Sequence, residues 1–239
     1  MTGRWPVVAA VAVALLAGIG GWAWPTGHPA SRAITLDEAG RLALARFTTY
    51  EKSPARVRIT VQGRDGDSVV DGLVDFRSHH AVGSYRIPGA DPGLLAWDRE
   101  GVGVAPAAGP GGPPALSAAA TMPRAAWSPR AFSSDPFDVG LNLVLRLAAD
   151  RPDNAQVLAE QGPRWLRGER IDARSYDVFS GPRPRSAADR GESPLTYWVD
   201  GEGGLRRVTM RVAGLERLVT VDFPGGPADP VPGTPWTLG

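Results

Sequence analysis

Period-two alternation constrains this chain more than any other feature. Val57, Ile59 and Val61 alternate with Arg56, Arg58 and Thr60, so an extended segment there has one apolar and one polar side. The pattern recurs at 68–76, where Val70, Gly72, Val74 and Phe76 share a face, at 80–87, and as a hairpin over 94–98 and 101–105. It returns at 166–170, at 174–179, on both sides of Gly201-Glu202-Gly203-Gly204 (195–200 and 205–212), and at 215–223. Short half-buried strands joined by Gly- and Asp-bearing turns predict an antiparallel sheet of about eight to ten strands.

Helical spacing appears in two places between these blocks. Thr35 is placed to cap a helix with Glu38 at the capping-box position, and Leu36, Ala39, Ala43 and Phe47 form its apolar stripe. This helix is predicted to stop before Ser53-Pro54, because proline cannot continue the ladder. Asp135 before Pro136 opens a second helix, strongly apolar through Leu141, Val144, Leu145 and Ala148, and broken at Asp150-Arg151-Pro152. A short helix is expected within 152–161. Residues 106–134 are rich in Ala, Pro and Gly without periodicity, which predicts a flexible flap or a disordered insertion whose far end Trp127 and Phe132 pin. The Pro/Gly-rich end, 224–239, is predicted to be mobile. Helix, strands, helices, strands is an α+β order. A sheet so wide tends to curl, which predicts a half β-barrel with helices on its concave face around an apolar cavity.

Val7 to Trp24 is an 18-residue run without charge, preceded by Arg4 and flanked by Trp5, Trp22 and Trp24. Its length approaches the span of a roughly 30 Å hydrocarbon layer, and indole rings favour the headgroup region. A retained membrane anchor and a cleaved signal with Gly21-Trp22-Ala23 as its site both fit. Either places the rest of the chain outside the cytoplasm, on the cell membrane as a single-pass protein or secreted. The predicted layout is 1–25 anchor or signal, 26–33 linker, 34–223 ectodomain and 224–239 tail.

Composition removes several chemistries. The chain has no cysteine, so disulfides, Cys-based zinc sites, thiol nucleophiles and an acylated N-terminal Cys are out. With 26 Lys+Arg against 25 Asp+Glu, nothing in the overall charge draws nucleic acid. His79 and His80 are neighbours on a predicted strand and point apart, so they do not share a metal. Gly101-Val102-Gly103 leads into proline rather than a helix, unlike a dinucleotide fingerprint. Gly191-Glu192-Ser193 lacks the second glycine of a nucleophile elbow, and Asp65-Gly66-Asp67 lacks the further oxygen ligands of a calcium loop. Asp71 and Asp75 share a strand face and read as a solvated face before a catalytic pair. Lys52, the only lysine, lies at a helix end. Arg206, Arg207, Arg211 and Arg217 cluster late in the chain; neighbours 206 and 207 are expected to diverge, as solvated cations or as contacts for anionic headgroups. No catalytic residue, metal or cofactor is expected, and the chain is read as a non-enzyme.

The export segment, the helix at Thr35–Phe47, the strand-rich first half, the helix at Asp135–Ala149 and above all Tyr197-Trp198-Val199-Asp200 with Gly204-Leu205-Arg206-Arg207-Val208 carry a resemblance. In these features the chain resembles the mycobacterial envelope lipoprotein family and, more distantly, the periplasmic lipoprotein carriers. The resemblance implies a half-barrel whose concave face is covered by helices, and a cavity for acyl chains of glycolipids or lipoproteins. The chain departs from that family in lacking the acylated Cys, so its own apolar segment must supply any attachment. The expected function is a non-catalytic extracytoplasmic binding protein for a lipid, glycolipid or other apolar ligand, lined by Leu94, Trp97, Leu141, Val144, Leu145 and Trp198. The alternative is a membrane-anchored structural or regulatory ectodomain that binds another envelope protein. Each of the six is also a natural core residue, since a cavity and a packed core use the same residue types.

Overall fold

The computed structural model describes residues 31–107, 115–183, 192–212 and 217–233. The predicted anchor or signal at 7–24 lies outside them, as does Gly191; no helix of the described residues is long and apolar enough to cross a membrane.

The chain runs β1 (Arg32–Ala33), α1 (Leu36–Glu51), β2 (Ala55–Val61), β3 (Ser68–Asp75), β4 (His80–Arg86), β5 (Gly93–Trp97), β6 (Val102–Pro106), α2 (Ala115–Thr121), β7 (Ser128–Arg130), α3 (Pro136–Leu145), α4 (Ala155–Glu160), β8 (Arg164–Ile171), β9 (Arg174–Ser180), β10 (Leu195–Val199), β11 (Leu205–Val212) and β12 (Arg217–Asp222). All twelve strands form one open antiparallel sheet in the order β1-β8-β9-β10-β11-β12-β2-β3-β4-β5-β6-β7. The count exceeds expectation because β1 and β7, from segments read as linker and flap, add a short strand at each edge.

Register shows why the sheet has two unlike faces. One row of directly paired residues, Trp165–Phe179–Tyr197–Val208–Val221–Ile59–Val70–Tyr85, crosses eight strands and is aromatic or aliphatic throughout. The adjacent row, Arg167–Val178–Trp198–Arg207–Asp222–Arg58–Asp71–Ser84–Leu94, must point to the other face, and its middle alternates in charge. Arg58 contacts Asp71 at 2.6 Å and Arg207 contacts Asp222 at 2.8 Å along this row.

Helices α1, α3 and α4 cover the apolar face. Helix α3 lies over β2 and β12, closest at Gly140, where a Cβ would stand 3.0 Å from Ile59 Cγ2 and 3.1 Å from Val219 Cγ1. Asp135 caps it and Pro136 opens it, as predicted. Asp138 in its first turn is 1% exposed; it accepts both Nη groups of Arg130 (2.6 and 2.7 Å) and the hydroxyl and N–H of Ser133. Burial alone would push this carboxyl up, but those donors outweigh it and hold it below the ordinary range.

Helix α1 has the expected capping box between Thr35 and Glu38 and ends at Glu51. Its buried side is rotated from the expected stripe. Leu36 is 63% exposed, and the helix docks through Ala39, Leu42, Ala43 and Ala45 together with Glu38 and Thr49. The two polar residues can turn inward because each is satisfied: Arg32 meets Glu38 at 2.7 and 2.6 Å, and Thr49 donates to the Ala45 carbonyl at 2.8 Å. Helix α4 packs Leu158 on α1.

One expectation is corrected. In the described part of 106–134, α2 and Trp127 pack against Val82, Leu94, Ala96 and Ala105, on the face opposite α3, so the helices do not all lie on one side. Ala118 and Trp127 are buried there, and Phe132 packs half-buried against the main core. In the tail, Pro227 accepts from Arg56 Nε at 2.7 Å and the Val231 carbonyl meets His80 Nε2 at 3.2 Å, so 224–233 crosses the outer face from β2 to β4.

Gly72 and Gly83 face each other across β3 and β4, where a Cβ on Gly72 would come within 2.7 Å of the Val82 carbonyl oxygen. Gly72→Ala is expected to lower stability by about 1–3 kcal/mol in chemical denaturation; a neutral result would show that the strands can part there. Glu38 is held down to about 2, first by its hydrogen bonds from Arg32. A lowered native value means its contribution is complete above the ordinary carboxylate range and is lost as pH falls toward 2. Glu38→Gln is expected to cost on the order of 1–2 kcal/mol at neutral pH, with the gap to the parent closing in acid. A gap independent of pH in urea titrations would contradict the role of this ion pair.

Candidate functional site

The six expected lining residues divide between the two faces. Trp97, Leu141, Val144 and Leu145 belong to one packed cluster between α3 and the sheet, each no more than 4% exposed. Trp97 Nε1 donates to the Leu141 carbonyl at 3.1 Å. Leu94 lies on the other face beneath α2, and Trp198 lies further along the same outer row with Tyr176 and Val178. Leu94 and Trp97 are three positions apart on one strand, so odd spacing alone separates them. The Arg167 and Arg207 guanidiniums sit 5.6 and 5.8 Å from the Trp198 ring, whose Nε1 is buried without a partner among the described residues.

The remaining sequence candidates hold structural roles. His79 occupies a turn with φ 57°, and burial, aided by Arg99, pushes it below its ordinary value. Asp71 pairs with Arg58 and Arg86, while Asp75 accepts from Ser53 and Ser78, so the two carboxylates work separately. Among the described residues no group of three His, Asp or Glu could hold a metal ion. Arg206 and Arg207 do not diverge as expected. Both reach Asp222 Oδ1, at 2.9 and 2.8 Å, because Arg206 is the extra residue at the register shift opposite Trp198/Val199, where strict alternation fails.

The site with chemical potential is a cavity of about 460 Å³ at one end of the sheet. Four separated stretches meet there: the end of α1 running into β2 (Thr49, Lys52, Pro54–Arg56), the β8–β9 turn, the β10–β11 turn and the residues after β12. Leu205 and Phe223 line it and also pack with the main core. Lys52, Arg56, Arg174 and Arg206 contribute its cations. Arg206 pairs with Asp172 and Asp222, and Asp200 accepts the N–H groups of Glu202 and Gly204. Thr48 Oγ1 donates to the Gly203 carbonyl at 2.7 Å and so fixes α1 to the hairpin turn. Gly203 needs its glycine twice over: φ is +80°, and a Cβ would stand 2.8 Å from Leu44 Cβ.

Two more open hollows, of about 380 and 340 Å³, lie beside Arg41 and Asp177 and beside Asp67 and Arg86. In the first, Arg41 and Asp177 already neutralise each other at 2.8 Å. None of the six expected residues lines these three concavities. Sequence reasoning passed over Lys52, Arg56, Arg174 and Phe223 because they converge only in three dimensions; the lone lysine and the Gly-rich turn were the available signals.

The two tryptophans should respond differently to substitution. Trp97→Phe removes a made hydrogen bond and leaves a void, at an expected cost of about 2–3 kcal/mol in thermal or urea unfolding. Trp198→Phe keeps the stacked ring and deletes an unpartnered donor, so its cost should stay below about 1 kcal/mol. The reverse ranking would contradict this assignment of roles.

No protein-family description and no curated protein matches the chain in sequence. Solved structures do match in three dimensions. They include the lipoprotein LppX of Mycobacterium tuberculosis, at 13% identity and TM-score 0.41 over 81% of this chain and 98% of that one. A LolA superfamily protein of Nitrosomonas europaea matches at 13% identity and TM-score 0.28, over 81% and 93%. A DUF1329 family protein of Desulfovibrio piger matches at 12% identity and TM-score 0.21, over 82% and 96%.

Proposed function

We propose that this chain is a non-catalytic extracytoplasmic binding protein, an open half-barrel that holds or passes on a lipid or other apolar ligand at the cell envelope. The uncharged run at 7–24 supports the compartment, whether it stays as an anchor or is removed. The observation that carries the binding reading is the cavity at the hairpin end. Its Leu205 and Phe223 are continuous with the main core, so an apolar ligand seated there extends the core instead of meeting an isolated patch. At about 460 Å³ it lies within the usual range for small-molecule sites. The four inward residues Trp97, Leu141, Val144 and Leu145 belong to the same core that Leu205 and Phe223 carry to the opening.

Native mass spectrometry of the full chain taken from its membrane or secreted fraction should show a bound lipid that organic extraction removes. Ala55→Trp, which places an indole into the cavity from the first residue of β2, should weaken uptake of a fluorescent fatty-chain probe by at least about tenfold while leaving the circular dichroism spectrum unchanged. A parent protein that carries no lipid and takes up no probe would overturn the reading.

A further inference from the structure

Several cations at the cavity have no carboxylate partner among the described residues. Along the middle row of the outer face, by contrast, Arg207, Asp222, Arg58 and Asp71 alternate across neighbouring strands and neutralise each other. At the cavity, Arg206 is matched by Asp172 and Asp222, and Asp200 is engaged by two backbone N–H groups. Lys52, Arg56 and Arg174 remain. None of the three makes an ion pair among the described residues, and Arg56 spends its Nε on the Pro227 carbonyl. They come from the end of α1, from β2 and from β9, so the fold itself brings three cations to one opening. Solvated cations repel one another when gathered, and the arrangement gains most from an anion that all three can reach.

We propose that this opening is an anion site. Lys52, Arg56 and Arg174 hold a phosphate, sulfate or carboxylate group above the apolar surface of Leu205 and Phe223, so the ligand is an amphiphile with an anionic head. The guanidiniums of Arg56 and Arg174 offer forked donors suited to a tetrahedral or planar oxyanion, and Lys52 adds a point charge. This deepens the binding function proposed above and rests on it for the apolar half of the ligand. The same chemistry admits a free anion, which the test separates from a lipid head.

Lys52 is the only lysine, so acylation by an amine-directed reagent, read by peptide mass spectrometry, reports this one side chain. The full chain is titrated with dodecyl phosphate, with dodecyl maltoside as a neutral amphiphile, and with inorganic phosphate. Dodecyl phosphate is expected to bind about tenfold tighter than the neutral amphiphile, to protect Lys52, and to lose that advantage as salt rises. Protection by dodecyl phosphate alone assigns the site to a lipid head, and equal protection by inorganic phosphate assigns it to a free anion. The variant K52Q/R56Q/R174Q should bind both amphiphiles equally, with an unchanged circular dichroism spectrum. If the parent binds both amphiphiles equally and Lys52 stays reactive, the anion site is overturned and the lipid reading stands. If neither amphiphile binds and phosphate gives no protection, both fall.

Discussion

The alternation of apolar and charged rows across paired strands is the constraint on which the rest depends. A row such as Tyr197–Val208–Val221–Ile59–Val70 has no favourable place in water, and the neighbouring Arg207–Asp222–Arg58–Asp71 has none in a core. A slip of one residue between any two strands would exchange the two sets, so register and burial fix each other. The sheet then has only one side on which a helix as apolar as α3 can settle. Trp97 and Gly140 set how it sits, the first by its bond to the Leu141 carbonyl and the second by admitting Ile59 and Val219.

The cavity follows from that seating. Helix α3 fills the space over β2 and β12, and α1 with α4 fills that over β9 and β10. The apolar surface next reaches open space where α1 ends and the hairpin turns begin, and there Leu205 and Phe223 carry the core to the opening. The bond from Thr48 to Gly203 keeps the helix end and the turn together, so the opening is framed by fastened elements.

Much of this was legible in the sequence because it is local. The Thr35–Glu38 cap, the Asp135-Pro136 start, the strand alternations and the hairpin around Gly201–Gly204 all depend on residues within a few positions of each other. Even the separation of Leu94 from Trp97 follows from odd spacing on one strand. The edge strands β1 and β7 were not legible, since two or three residues carry no period and gain structure only from a neighbour. The outward placement of α2 was hidden for the same reason: its Ala-rich run has no strong stripe, and Trp127 decides its side. The cavity was least accessible of all. Lys52, Arg56, Arg174 and Phe223 are brought together by sheet order, which places β12 beside β2 although they are separated by most of the chain.

The two edges of the open sheet have a consequence for crowding. An unclosed sheet usually invites a second copy to continue its ladder. Here one edge is β1, two residues long, and the other is β7, three residues long with Pro129 at its centre and no N–H to give. A neighbour docking on β7 would form too few backbone hydrogen bonds to extend the ladder, whereas beside β1 the edge of β8 beyond Trp165 has no strand paired to it among the described residues. The sheet is therefore better guarded against edge-to-edge pairing at its β7 end than at its β1 end.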